Sequence, residues 1–207
     1  MLQNATKKSI YKRLPIYLDY CKTILATEPQ TKYISSTRIA EELFLGEVQV
    51  RKDLSKACGS GRPKIGYSLK YLIQSIEEYL KCKDIRKAVI IGVGKLGSAI
   101  LGFDELKKYG LDVIAGFDTN TENKKYNKPV YTYSQENIKT YIDDNNVDVV
   151  IMCVPKKVAQ DVCNLIVSLG IKIIWNFTPT RLKVPSDVIV QNENLAYSVS
   201  IMLAGIN

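Results

Sequence analysis

The segment Gly92-Val-Gly94-Lys-Leu-Gly97 constrains this chain more than any other. It follows the apolar run Ala88 to Ile91 and opens an amphipathic stretch. A second apolar run, Val113 to Phe117, ends in Asp118, about twenty residues after Gly97. Strand, glycine turn, helix, strand and acid together form the fingerprint of a dinucleotide-binding βαβ unit. Gly92 permits the tight turn, Gly94 lets backbone approach a pyrophosphate, and Gly97 lets the helix lie close to the sheet. The helix start at Lys95 and Leu96 offers N–H groups and partial positive charge to the phosphates. Asp118 is expected to accept hydrogen bonds from a ribose diol and to repel a 2′-phosphate, which favours NAD(H) over NADP(H).

The segment before this unit carries the whole net charge. Residues 1–87 hold 17 Lys and Arg against 9 Asp and Glu, whereas residues 88–207 hold 12 against 12. A basic module joined to a neutral nucleotide-binding module suggests a sensor that holds a polyanion such as nucleic acid, more than an enzyme. A length of 207 residues accommodates two small domains. No segment reaches the roughly 18 apolar residues of a membrane span, and Met1 to Pro15 has no apolar core of a secretory signal. Cys21, Cys58, Cys82, Cys153 and Cys163 form no C-x-x-C pair, and the chain has no histidine. A metal centre is therefore not expected, and reduced thiols of a cytoplasmic protein are.

In the basic module, Ile10, Leu14, Leu18, Cys21 and Leu25 recur at helical spacing, with Pro15 expected to bend or begin part of that helix. Ser35 and Ser36 offer caps for a short helix carrying Ile39, Leu43 and Phe44, which Gly46 breaks. A second short helix turns Val50 and Leu54 inward. Two short helices around a glycine-containing turn form a helix-turn-helix pattern. Gln49, Lys52 and Lys56 share the outer face of the second helix, flanked by Arg51 and Ser55. Gln suits adenine edges, and Lys and Arg suit guanine edges or phosphates. Cys58 to Tyr67 contains three glycines and a proline, so it turns, and Arg62 and Lys64 sit near its tip. A basic hairpin after such a helix is the wing of a winged helix, placed to meet backbone or minor groove. Ser68 then caps a helix bearing Leu69, Leu72, Ile73, Ile76 and Leu80, and 81–87 is a charged linker.

From Ala88 onward strands and helices alternate, the pattern of a parallel sheet. Expected strands cover 88–91, 111–117, 129–132, 147–153, 172–176 and 188–191; expected helices cover 96–108, 135–145, 158–169 and 195–204. Ligands of such sheets lie outside the carboxyl ends of the strands. Val154-Pro155 and Asn176-Phe177-Thr178-Pro179 stand at two such ends and are expected to face a nicotinamide, with Phe177 packing on the ring and Asn176 orienting it. The terminal segment 195–204 is apolar nearly all round, so it is either a core helix of this chain or an insertion into a partner chain. Catalysis finds little support. Hydride transfer usually needs a positioned acid or base, there is no histidine, and no tyrosine in the nucleotide half has a lysine four residues on.

Arg13-Leu-Pro-x-Tyr17, Ile34-Ser-Ser36, Val50-Arg-Lys-Asp-Leu-Ser55, Gly66-Tyr67, Gly92-x-Gly-x-Leu-Gly97, Phe117-Asp118, Val154-Pro155, Asn176-Phe-x-Pro179 and Leu182-x-Val-Pro185 occur in this order. Together they resemble the Rex family of redox-sensing transcriptional repressors, over almost the whole chain. The resemblance implies an α/β protein with a winged-helix DNA-binding domain at 1–84, a Rossmann NAD(H)-binding domain at 85–194, and a helix at 195–207 exchanged between the subunits of a homodimer. It implies a bacterial repressor of palindromic double-stranded operator DNA, with Ser36 among the DNA-facing residues, that NADH releases and NAD+ allows to bind. Members of the family often carry an arginine, a tyrosine and an aspartate in a polar network that couples cofactor to domain movement; Asp19, Phe103 and Asn194 stand at those positions here. Ala57-Cys58 likewise replaces an aromatic pair before the wing. An NAD-dependent oxidoreductase with an accessory module, and a nucleotide- or CoA-binding interaction protein with a weak redox response, are the competing classes. Shift of a palindromic duplex separates the repressor from both, and turnover of NADH with carbonyl substrates would mark the enzyme.

Overall fold

The computed structural model describes residues 2–121 and 128–205; Tyr126 and the last two residues of the expected exchanged segment lie outside them. The chain divides into two compact units, Met1–Asp84 and Ile85–Asn207.

The first unit runs α1 (Leu2–Thr27), β1 (Tyr33–Ile34), α2 (Ser36–Glu42), α3 (Glu47–Cys58), β2 (Tyr67–Ser68) and α4 (Leu69–Leu80). Ile10, Leu14, Leu18 and Cys21 form the buried stripe of α1 and pack with Ile39, Val50, Leu54, Leu72 and Ile76 in one core. Pro15 neither begins nor breaks α1. Its neighbours Leu14, Tyr17 and Leu18 are fully buried, and that packing outweighs the roughly 3 kcal/mol an internal proline costs. Ser35 caps α2, its hydroxyl accepting from the Arg38 backbone N–H at 3.0 Å.

Three local expectations are corrected. Phe44 does not join Ile39 inside: α2 stops at Glu42, Phe44 takes a positive φ of 53° and its side chain is 95% exposed. Gly46 starts α3 as its N-cap instead of ending α2. Ser68 occupies the N-cap of α4, yet its side chain makes no capping bond. The wing is a tight turn in which Arg62 and Gly66 exchange two backbone hydrogen bonds, at 2.8 and 2.9 Å. Gly66 has φ +92°, and a Cβ there would collide with the Ile34 carbonyl. Only glycine lets the wing return into the β1–β2 pairing of Ile34 with Tyr67.

The second unit runs β3 (Arg86–Ile91), α5 (Lys95–Leu101), a 3-10 turn (Asp104–Tyr109), β4 (Leu111–Asp118), β5 (Val130–Thr132), α6 (Gln135–Asn145), β6 (Val149–Met152), a 3-10 turn (Lys156–Val158), α7 (Ala159–Ser168), β7 (Ile173–Asn176), β8 (Ile189–Asn192) and α8 (Leu195–Ala204). The six strands form one sheet in the order β5-β4-β3-β6-β7-β8. Every pairing is parallel. This is the doubly wound order of a Rossmann fold, which reverses between β3 and β6 and opens a crevice there. Alternation splits the strands between two faces. Val89, Ile91, Phe117, Val150 and Met152 meet Ile138 of α6 and Val162, Cys163 and Ile166 of α7. Ala88, Ile90, Val113 and Ile151 meet Leu101 of α5.

The helix expected over 96–108 ends at Leu101, where Gly102 caps it, and a 3-10 turn replaces its second half. The helix expected over 158–169 is likewise preceded by a 3-10 turn. Beyond α5 the second face is thinly covered, and Leu111, Ile173, Trp175 and Ile189 line a shallow apolar groove of about 300 Å³. Helix α8 is equally open. Tyr197, Val199, Ile201, Met202 and Leu203 are all exposed, Ile201 at 74%.

Candidate functional site

The first candidate site is the crevice at the glycine turn. Gly92 has φ +91°, and a Cβ there would stand 2.7 Å from the Cys153 carbonyl. Gly97 has no room either, since a Cβ would strike the Gly92 carbonyl. Gly94 differs: a Cβ built on it meets nothing within 4 Å. Two of the glycines are thus required by the fold, and the third keeps backbone bare toward open space, the cradle a pyrophosphate needs. Lys95 and Leu96 begin α5 at the surface beside it.

Asp118 closes the turn. Its Oδ2 accepts from the Val93 N–H at 2.6 Å and its Oδ1 from the Asn120 N–H at 2.9 Å. The carboxylate therefore fixes the loop and the end of β4 together. Each carboxylate oxygen has a further lone pair, so the ribose role remains open to it. A cleft of about 690 Å³ extends from here, with Gly92, Gly94, Asp118, Val154 and Pro155 among its walls; that is the size of a small-molecule or cofactor site.

Asn176, Phe177, Thr178 and Pro179 do not line this cleft. Asn176 is fully buried and its amide is saturated. Its Nδ2 donates to the Thr180 carbonyl and the Asn192 Oδ1, both at 2.8 Å, and its Oδ1 accepts from the Thr178 N–H and hydroxyl at 3.0 and 2.7 Å. It ties β7 to β8 and has no capacity left to orient a ring. Phe177 packs on Trp175, ring centroids 4.8 Å apart. Thr178 and Pro179 instead border a smaller hollow of about 270 Å³ with Arg181, Asn194 and Tyr197.

The second candidate site lies in the first unit. A groove of about 540 Å³ between α2, α3 and the wing brings together Ser36, Arg51, Arg62 and Lys64. Ser35, Thr37, Ser55 and Ser60 add hydroxyls to the same walls. Three cations and a ring of hydroxyls suit phosphate oxygens. Arg51 pairs with Glu47 at 3.8 Å, both well exposed, a contact too weak to hold it. Lys52 and Lys56 are exposed on α3 outside this groove.

Gln49 is differently engaged. Its Nε2 donates to Asp53 Oδ1 at 2.9 Å. Asp53 is buried and also receives Arg13 through Nε at 2.6 Å and Nη2 at 3.0 Å, and the Tyr17 hydroxyl at 3.0 Å. Burial alone would raise the Asp53 carboxyl, but the bonds from Arg13 and Tyr17 and the Arg13 charge outweigh it and hold it below its ordinary value. Burial and the bond to Asp53 push the Tyr17 hydroxyl up to about 12. This network joins the Arg13-Leu-Pro-x-Tyr17 segment to α3 and sets the rotation of that helix. Sequence reasoning missed Asp53; its place one turn from inward-facing Val50, among basic residues, was the available signal.

A family model described as a CoA binding domain matches residues 83–180, and one described as a putative DNA-binding protein N-terminus matches 8–55. The redox-sensing transcriptional repressor Rex of Treponema denticola is 42% identical over 89% of this chain and 88% of its own. That of Bacteroides thetaiotaomicron is 35% identical over 95% of this chain and 89% of its own. The chain belongs to the Rex family of redox-sensing transcriptional repressors. The structure of RSP, a Rex-family repressor, in complex with β-NAD+ and operator DNA aligns at TM-score 0.87 and 33% identity, covering 97% of this chain and 92% of RSP. RSP in complex with β-NADH aligns at 0.81 and 32% identity, covering 96% and 93%.

In this Rex chain one of the three positions singled out by the resemblance, Asn194, has a local role. Asn194 caps α8, its Oδ1 accepting from the Ala196 and Tyr197 N–H groups at 3.0 and 3.3 Å. Phe103 follows the glycine that ends α5 and is half exposed. Asp19 lies on the exposed face of α1, and nothing in the structure explains an acid there. No described helix is long and apolar enough to cross a membrane, and the described residues hold no cluster of metal-ligating side chains.

Proposed function

We propose that this chain represses transcription by holding palindromic operator DNA and releases it as the NADH/NAD+ ratio rises. One observation carries the reading: a bare glycine cradle closed by Asp118 and a cationic groove beside a wing occur in a single chain of this family. Gly92, Gly94, Lys95, Leu96 and Gly97 would meet the pyrophosphate, and Asp118 the adenosine ribose, excluding NADP(H). Val154 and Pro155 would border the cofactor. The 176–179 segment would act indirectly, by shaping the loop beside it. Ser36, Arg51, Arg62 and Lys64 would hold the DNA backbone, with Lys52 and Lys56 on the same helix and Gln49 bound back to Asp53. The cofactor supplies the redox signal; the protein residues bind and orient it.

The chain works as a homodimer in this reading. Five exposed apolar side chains on α8 and an uncovered sheet face around Trp175 and Ile189 are a pair of surfaces that call for a second copy. A two-fold dimer would match two half-sites about one helical turn apart. Asp19, Phe103 and Asn194 would make release by NADH less complete than in relatives that carry the polar network. The chain acts by binding rather than turnover, and its setting is the cytoplasm, where its DNA partner lies and its five free cysteines stay reduced.

The test is a titration of a palindromic duplex at several NADH/NAD+ ratios. Affinity that falls as NADH rises supports the reading; DNA binding indifferent to the ratio overturns its redox half. The CoA description of the matched model leaves a rival ligand, and calorimetry with CoA in place of NADH separates the two.

A further inference from the structure

Helix α3 turns Val50, Asp53, Leu54 and Cys58 inward. With about 3.6 residues per turn, Val48, Lys52 and Ser55 fall on the opposite side, and Arg51 on its flank. Arg51 and Ser55 reach the cationic groove beside the wing. Val48, one turn before Arg51 and Lys52, therefore opens the same outward row at the start of the helix. It is the second residue of α3 and is 55% exposed. A single exposed valine on a protein surface needs no explanation. This one stands in the middle of a charged and polar face made by Glu47, Gln49, Arg51, Lys52, Ser55 and Lys56, all exposed. A β-branched residue is also a poor helix former, and the inward side of α3 is already filled by others. Neither folding nor hydration favours an apolar side chain at this place.

The major groove of duplex DNA admits an α-helix, and what it shows to that helix is almost entirely polar. Guanine, adenine and cytosine offer only donors and acceptors; thymine adds one apolar feature, its 5-methyl group. A valine set among cations and hydroxyls thus has one matching partner on a base edge. Resting on the reading that this unit holds operator DNA, we propose that Val48 is a specificity-determining residue that packs on a thymine 5-methyl group in each half-site. Arg51 and Lys52, on the next turn, hold the phosphates and fix the depth at which Val48 stands. The two kinds of contact are separable. Phosphate contacts release counterions and carry the salt dependence; an apolar contact to a base carries sequence preference and none of the salt dependence.

The probe is a duplex selected by the full chain, with NAD+ present, from a pool of random sequence. Each symmetric pair of thymines in it is then replaced by deoxyuridine, which lacks only the 5-methyl group. At one such pair the parent is expected to bind about tenfold more weakly, one apolar methyl contact being lost in each half-site. Val48→Ala, an exposed change to a better helix former, should shrink that gap to about twofold or less and leave the salt slope unchanged. Arg51→Ala should do the reverse, lowering the slope and keeping the gap. A parent indifferent to deoxyuridine at every position, selected half-sites that share no thymine, or a gap that survives Val48→Ala overturns the proposal and leaves DNA binding intact. A Val48→Ala chain whose salt slope falls as well would make Val48 a support of the helix and overturn it too. If no duplex is selected, the DNA-binding reading fails and the proposal with it.

Discussion

The two units solve the same problem in opposite ways. The first spends charge on its own folding: Asp53 sits buried under Arg13, Tyr17 and Gln49, and the surplus cations lie outside on a polar groove. The second is neutral, folds around strands with apolar faces, and leaves apolar surface open on α8 and on the β7–β8 side of its sheet. One unit is complete as a fold and needs a polyanion to balance its surface. The other leaves apolar surface open, which the proposed second copy would cover. A carboxylate near a functional surface therefore means different things in the two: Asp53 is consumed by the fold, and Asp118 keeps capacity for a ligand.

The largest effect expected from this contrast is on the open helix. Removing residues 195–207 should give monomers or aggregates and abolish binding of a palindromic duplex, a loss of more than about 100-fold where two half-sites are held together. Light scattering that finds the truncated chain dimeric, with cofactor-dependent DNA binding intact, would break the contrast at its main point.

Next is the buried pair. Asp53→Ala leaves Arg13 and Tyr17 without their acceptor and should cost about 3 kcal/mol of stability, the scale for breaking a buried ion pair, read by urea unfolding of the full chain. The carboxyl is held below its ordinary value of 3.8 when folded. Its contribution should therefore be complete at neutral pH and decline only as pH falls through and below that value. An Asp53→Ala protein as stable as the parent would show that the first unit does not depend on its internal charge.

A smaller change should come from the surface cations. Replacing Arg51 and Lys52 by Ala should weaken DNA about tenfold and lower the slope of affinity against salt by about two, as two phosphate contacts are lost. An unchanged slope would remove both residues from the interface. The mildest effect is expected at Asp118. Its Ala variant should bind NADH about fivefold more weakly, one hydrogen-bonded contact's worth, and narrow the gap to NADPH; equal affinity of the parent for the two cofactors would sink its discriminating role.

Residue pattern made much of this visible beforehand. The strand–glycine–strand–acid spacing pointed to the Rossmann order, and the apolar runs at 88–91 and 113–117 are central strands whose side chains divide between two buried faces. Patterns failed where a contact distant in sequence takes a side chain away. Gln49 is a different case, one that helical spacing could have shown: Asp53, four residues on along the same helix, engages it. Asn176 stood at a strand end, but Asn192, sixteen residues on, claims its amide. Phe44 matched the inward stripe, yet its positive φ turns it out.

Composition and spacing by themselves determined the basic and neutral halves, the glycine turn, Asp118 and the basic wing, because these depend on local backbone geometry and on charge that any fold must leave in water. Only the tertiary structure decided which polar residues remain available. A buried hydrogen-bonding group must find a partner wherever the fold brings one, and Asp53 with Arg13 on another helix, and Asn192 with Asn176, are neighbours in space that no helical or strand periodicity announces.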